Sequence, residues 1–530
     1  MTIRRKALRQ PRVPMGQVSR PMNWRAPTGG WRADVPLADL PPDAAAQMVN
    51  MFPEMNYVRA RYGTNNWAIG GTGPVQTLVP YSGSTNKLFA ANGSSLYDVT
   101  VSSSVLSNPV ITGLNSAYLS SAQITTAGGK FLQIVSNSAL DSPYTYNGTS
   151  WSPSVWTGTD LSSNALVPAQ LSVVALYRSR LYFIQKGTQT IWYGATDAIT
   201  GTLTPLNLGD VLKFGGSLVA IGTWSIPILD NILQNIVFVT DQGEIAIYTG
   251  SDPSNPSNWS LLGTFKLGPP LGADRCLYQV GADLALAMAE GIVPISQAIS
   301  LEPSASETVS MTKQILPSWL AEVQACGSTL GWQLITYPAH HMALVNVPDP
   351  QGTIQFVMNA ESKAWCQFTG WPVAHFAIFN NQLMAGTTDG RVIQCETGGN
   401  DCGTPITGYL TGAFQRGADG TSQKSANIIS MNGTLGVAAQ AWMGVSVDYR
   451  ISIPSSPVSS LALVQAQWGT AIWGQSVWPS SVTLLAHGDG SAMGVALAPS
   501  VKVVITGAYG NVTDCIIIGG SINYEQGVGL

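Results

Sequence analysis

The sequence predicts an all-β protein: an irregular six- or seven-bladed β-propeller with a C-terminal β-sandwich-like platform domain. The first observation is composition. Charged residues make up only 10% of the 530 and hydrophobic residues 45%, against roughly a quarter charged in an average globular chain. Long solvated helices need Glu, Lys and Arg. A surface made instead from Ser, Thr, Asn, Gln and 55 Gly favours short strands and tight turns. The second is a recurring pattern in which an apolar alternating run meets a Gly-containing turn and leaves as another run. The third is its spacing, roughly 40–60 residues, the length of a four-stranded blade.

The chain opens on a basic arm, residues 1–32, with Arg4, Arg5, Lys6, Arg9, Arg12, Arg20, Arg25 and Arg32 and no Asp or Glu. Of 25 basic residues these eight stand apart, leaving 17 against 29 acidic residues in the rest, a net of −12. A basic arm on an acidic body suits contact with an acidic surface or nucleic acid; a merely solubilising N-terminus or a transit peptide are the blander readings. Residues 33–74 form a Pro-, Gly- and Trp-rich strap. Within it Pro41–Met51 reads as a short helix, led by Pro42 or capped by Asp43. Tyr57–Gly63 follows, alternating apolar or aromatic residues with Arg59 and Arg61 as an exposed strand would.

Residues 75–400 hold the repeated hairpins. They include Leu88–Tyr97 around Asn92-Gly93, Phe131–Trp151 around Asn147-Gly148, Leu181–Tyr193, Ile236–Tyr248 around Asp241 to Gly243, and Leu383–Ile393 around Asp389-Gly390. Asn-Gly and Asp-Gly favour two-residue hairpins because the turn needs positive φ. Two consecutive β-sandwiches would give similar turn spacing. One helix is expected inside the array, Thr312–Val323, with Ile315, Trp319, Leu320 and Val323 at helical spacing. Residues 401–530 change character, with strands such as Val501–Thr506 and Cys515–Ile518 around a Gly/Ser-rich loop carrying Trp468, Trp473 and Trp478. Those tryptophans either fill the domain's core or face a partner.

Catalytic chemistry is not evident. His340 and His341 are adjacent and would point to opposite faces of a strand; His375 and His487 lack neighbours at metal-ligand spacing. No nucleophile elbow, zinc-protease helix, P-loop or dinucleotide fingerprint occurs. Asp241, Glu244, Glu361 and Asp389 sit at hairpin turns, where carboxylates serve the turn or the surface. The six scattered cysteines read as buried thiols. No apolar run is long enough to span a membrane. The expectation is a non-enzymatic protein with no cofactor and no metal; the alternative is a carbohydrate-binding or glycan-degrading propeller.

Leu40-Pro41, Asn50-Met-Phe-Pro53 and Val58-Arg-Ala-Arg61-Tyr-Gly63 resemble the segment before the first blade in tail nozzle (hub, or tail tubular B-type) proteins of short-tailed bacteriophages, including packaged-DNA-stabilisation proteins. The family often has Pro where this chain has Tyr62. Further matching features are Arg178-Ser-Arg180 leading to Ile191-Trp192-Tyr, Asp241-Gln-Gly-Glu244 with Ile247-Tyr248, the helix near 312–323, the strand with Trp365, and the ending Ile522-Asn-Tyr524-Glu525-Gln-Gly527. The resemblance implies a propeller-like body on a platform built from N- and C-terminal segments. It also implies assembly as a ring, usually a hexamer, below the portal and adaptor of the virion, with tail fibre or spike proteins as neighbours and transient contact with the genome. On that expectation Trp468, Trp473 and Trp478 are candidate contacts between copies. Arg4, Arg5, Lys6, Arg9, Arg12 and Arg20 are candidate contacts to the adaptor or DNA. The protein would be made in the host cytoplasm and reside in the virion tail.

Overall fold

The computed structural model describes residues 19–228, 231–281, 283–299, 309–350, 352–417, 420–436, 439–454, 483–507 and 515–526. Eight sheets are present. Seven supply one blade each, and their innermost strands touch in a closed circuit. These inner strands are Val75–Tyr81, Leu119–Thr126, Leu171–Tyr177, Leu218–Ile228, Leu277–Val280, Gln333–Tyr337 and Val373–Phe379. The fold is a seven-bladed β-propeller.

The inner strands of each blade form an antiparallel meander whose faces pack on its neighbours, and blades 3 and 7 add a parallel strand at the outer edge. Blade 1 shows how the sequence makes one. Lys87–Asn92 turns into Ser95–Asp98 through Gly93, which holds φ +59, and Leu88, Phe89 and Leu96 are buried. Alternate residues of one strand serve two cores. In blade 4, Ile236 and Phe238 face the cluster shared with blade 3, whereas Val237 and Val239 face the cluster shared with blade 5. The strands therefore read as near-continuous apolar runs. Blade 5 has three strands among the described residues, and the helix Leu316–Cys326 follows it. That helix is led by the 3-10 turn Lys313–Ile315. Trp319 is fully buried against Trp332, but Leu320, expected on the same face, is 45% exposed.

The ring is closed by a strand from the start of the chain. Thr64–Ile69 pairs with Val392–Cys395, the outer strand of blade 7, so blade 7 is built from both sides of the array. Beyond it lies the platform, in which a six-stranded sheet shares one core with strands Ile406–Gly412, Leu497–Ile505 and Ala439–Val447. The strand Cys515–Gln526 is covered on one edge by Lys424–Leu435. On the other it is covered by two N-terminal strands, Arg20–Arg25 and Val58–Ala60.

Three local expectations are corrected. Pro41–Met51 is not a helix: Ala45–Val49 is a strand, paired with Ile406–Gly412 on one side and with Trp365–Thr369 of blade 6 on the other. Two open sheet edges, the strand Ile406–Gly412 along its length and blade 6 at Val49, offered the segment ladder partners, and this overrode local helix preference. Blade 6 and half of the platform thereby form one continuous eight-stranded sheet. The basic arm is not free as far as residue 32, because Arg20–Arg25 is a platform strand with Met22 and Trp24 buried. Arg32 pairs with Asp34 at 2.6 Å. Finally, Arg59 and Arg61 are not on an exposed strand; they are 6% and 1% exposed.

Candidate functional site

Two polar clusters are built into the protein, one where propeller meets platform and one on the propeller axis. At the junction, Arg61 donates from Nη1 and Nη2 to the Asp401 carboxylate at 2.9 and 2.5 Å, from Nε to Asn50 Oδ1 at 2.9 Å, and from Nη2 to the Thr369 carbonyl at 2.8 Å. Its guanidinium lies 4.9 Å from the centre of the Trp371 ring. A bidentate fork needs arginine rather than lysine. Arg59 donates to Glu54 at 2.9 Å and to Glu396 at 3.3 Å, between the rings of Phe52 and Tyr62. Burial opposes its charge, yet Glu396, then Tyr62 and Glu54, hold Arg59 above the ordinary guanidinium range. A cavity of about 360 Å³ opens beside Arg61, lined also by Arg391, Thr404 and Tyr409.

The histidines do not form a shared site. His340 ends the turn Pro338–His340, and His341 follows at φ +52, so neither is on a strand as expected. They address different carboxylates, Glu396 at 3.0 Å and Glu361 at 3.1 Å. Among the described residues no group of His, Cys, Asp or Glu is arranged to hold a metal ion. The turn carboxylates act locally: Asp241 accepts from Ser217, Asp389 from Thr387 and Arg391, and the buried Glu244 from the N–H groups of Lys213 and Phe214.

Sequence reasoning missed the axial cluster. The 3-10 turn Ala273–Cys276 enters blade 5 from Gly272, at φ +81, where a Cβ would sit 2.6 Å from the Trp332 carbonyl. From this turn Arg275 reaches across the axis to blade 1. It donates to the Gln76 carbonyl at 3.2 Å and to Thr77 Oγ1 at 2.8 Å, and lies 3.8 Å from the Tyr118 ring centre. It stands between a 260 Å³ cavity and a 490 Å³ cavity. The larger is lined by Asp274, His375, Gln333, Ser120, Thr223 and Gln279 among others. Burial pushes the Asp274 carboxyl up, against Arg275 and Tyr118, and also pushes up the Tyr118 hydroxyl. The only local signal was a charged Asp274-Arg275 pair after a glycine at the start of a blade.

His375 is 8% exposed. Burial, and after it the Arg275 charge, holds it well below the ordinary imidazole range, so the ring is neutral. The unfolded chain therefore takes up a proton at this residue near pH 6.5 while the folded chain does not. Stability should fall as pH drops below that value, by up to about 1.4 kcal/mol per unit from this group. Asp274, with its raised value, acts oppositely: its folded form binds the proton more tightly, and that stabilisation is lost as pH rises. Comparing urea melts of the wild type and His375→Asn between pH 7 and 5 isolates the histidine, and the variant should show the flatter acid limb.

Arg20 is exposed on its strand. Arg4, Arg5, Lys6, Arg9 and Arg12, and the loop with Trp468, Trp473 and Trp478, lie outside the described residues. No helix is long and apolar enough to cross a membrane among the described residues.

No protein-family model matches the chain, and no curated protein matches it. Among solved structures it is similar to Chaetomium thermophilum Raptor, at 12% identity and a TM-score of 0.39 over 63% of this chain, spanning only 29% of the Raptor chain. It is similar to a six-bladed β-propeller lectin with fucose recognition from Aleuria aurantia, at 10% identity and 0.29 over 59% of this chain and 95% of the lectin. A glycoside hydrolase family 43 arabinoxylan arabinofuranohydrolase from Bacillus subtilis matches at 12% identity and 0.25, over 91% of this chain and 95% of that one. Likenesses this distant say nothing about activity.

Proposed function

We propose that the chain is a structural virion protein, the tail nozzle or hub ring of a short-tailed bacteriophage, serving as conduit and closure for genome DNA below the portal and adaptor. One observation carries the reading: N- and C-terminal strands interleave in a single platform that runs without a break into blade 6. This is the architecture the resemblance implies, and it suits a part that must pass force between its neighbours without unfolding. The buried arginines support it further. Arg59 and Arg61 are spent on internal carboxylates, so they add no basic surface that would grip a passing phosphate backbone. On this reading the protein is not an enzyme and carries no cofactor. Copies close head to tail into a homohexamer through heterologous contacts, with Trp468, Trp473 and Trp478 between copies. Arg4, Arg5, Lys6, Arg9, Arg12 and Arg20 face the adaptor, another connector protein or the DNA. Fibres or spikes attach outside, and the mature location is the virion tail after synthesis in the host cytoplasm.

Particle imaging with a label at the C-terminus tests this directly: the label should decorate a ring at the tail. A chain that is strictly monomeric in solution and absent from mature particles overturns the proposal. Removing residues 1–18 should impair particle assembly while leaving the propeller folded. Extending the deletion through Arg25 should also lower stability, since it strips a strand and uncovers the Trp24 site.

A further inference from the structure

The 490 Å³ axial cavity falls in the size range of ligand sites, roughly 300–1,000 Å³, and among the described residues two hydrogen-bond donors of its lining face each other. His375 Nδ1 accepts the Leu78 backbone N–H at 3.1 Å. In a neutral ring the proton must then reside on Nε2. That Nε2 meets Gln333 Nε2 at 3.3 Å, which is itself a donor. The amide of Gln333 cannot be turned to help. Its oxygen accepts the Phe376 N–H at 2.7 Å, and its nitrogen donates to the Phe376 carbonyl at 2.9 Å. Two donors, His375 Nε2–H and the Gln333 amide, therefore stand against each other on residues that line the cavity, and an acceptor oxygen bound there would relieve the conflict. A buried donor left without an acceptor costs about 1–3 kcal/mol.

Arg275 lines the same cavity as His375 and Gln333, so this wall favours an anionic oxygen over a neutral one. The same cavity holds the Asp274 carboxyl, the hydroxyls of Ser120, Ser121 and Thr223, and the Gln279 amide. These suit hydroxyl groups.

We propose that the propeller axis is a binding site for a small hydroxylated carboxylate, an acidic sugar such as a uronic or sialic acid, with the carboxylate held by His375, Gln333 and the field of Arg275. The site is independent of ring assembly and is compatible with the nozzle reading or without it.

Calorimetric titration of the full-length chain with glucuronate, N-acetylneuraminate, glucose and inorganic phosphate tests it. An acidic sugar should bind, with glucose at least about tenfold weaker, the worth of one charge-assisted hydrogen bond. In His375→Asn the amide oxygen can still accept the Leu78 N–H, but the NH2 of the shorter side chain does not reach the Nε2 position, so affinity should drop about tenfold. Gln333→Glu is the second variant. It retains an acceptor for Phe376 N–H and sets a negative charge beside the carboxylate, so acidic-sugar binding should vanish. Phosphate binding as well as either sugar acid would make the site a general anion site and overturn the sugar assignment. Failure of every probe to bind the wild type, or unchanged affinity in both variants, would overturn the site itself.

Discussion

Replacing Arg61 with methionine is expected to destabilise the protein by about 3–5 kcal/mol, the range for breaking a buried ion pair from one side. The loss is not that of one bond. Asp401 would remain as a carboxylate whose side chain is only 12% exposed, retaining a 3.2 Å hydrogen bond from Trp371 Nε1 but no counter-charge. Asn50 Oδ1 and the Thr369 carbonyl would each lose a donor. Lysine should not rescue the position, because a single ammonium cannot meet both carboxylate oxygens along with Asn50 and Thr369. Urea unfolding of Arg61→Met, Asp401→Asn and the double variant checks the assignment. The two single effects should be strongly non-additive, since removing both charges abolishes the unpaired one. Additive losses would mean that the pair does not couple strap to platform as drawn.

Gly63→Ala is expected to be nearly as damaging, for a purely steric reason. A Cβ there would stand 1.9 Å from the Asn400 carbonyl oxygen, and the obstacle is backbone rather than a side chain that could rotate away. Gly63 N–H donates to the Gly398 carbonyl at 3.0 Å, and its carbonyl accepts from Thr397 at 3.0 Å. Moving the two chains apart to admit a methyl would break this clasp and disturb the adjacent Thr64–Ile69 strand that closes blade 7. Overpacking costs typically about 1–3 kcal/mol when side chains can yield, and the upper end or beyond is expected here. A thermal melt should show the drop, and limited proteolysis should show cleavage near the 63–69 closure first. A variant with wild-type stability would mean that this contact is not close-packed in solution.

Much of the fold was legible in the chain. Gly and Asn-Gly turns between apolar runs marked hairpins such as Leu88–Tyr97, because positive φ and strand alternation are local properties. The helix after blade 5 was visible in the spacing of Ile315 and Trp319. Leu320 was misjudged, because a face is buried only where something covers it, and periodicity does not say how wide that cover is. Arg59 and Arg61 alternated as solvent-facing residues would, yet each is buried. Their partners Glu396 and Asp401 are about as distant in sequence as the two ends of the propeller, 337 and 340 residues away. Pro41–Met51 had the cap and composition of a helix, but Ala45–Val49 filled the gap between blade 6 and the strand Ile406–Gly412. A strand gap in a sheet is a non-local demand, and local preferences worth tenths of a kcal/mol do not resist it.

The axial cluster marks the same division most sharply. Asp274, Arg275, Gln333 and His375 come from stretches up to 101 residues apart by their own numbers, and only the packing of blades 5, 6 and 7 side by side brings them to one cavity. By itself the sequence determined the local grammar, an all-β chain of short hairpins with a basic start and an acidic body, because turn chemistry, alternation and composition act between near neighbours. Only the tertiary structure decided the blade count, the weaving of both chain ends into one platform, and which charges are buried. Those depend on which distant edge or carboxylate a segment meets once the ring has closed.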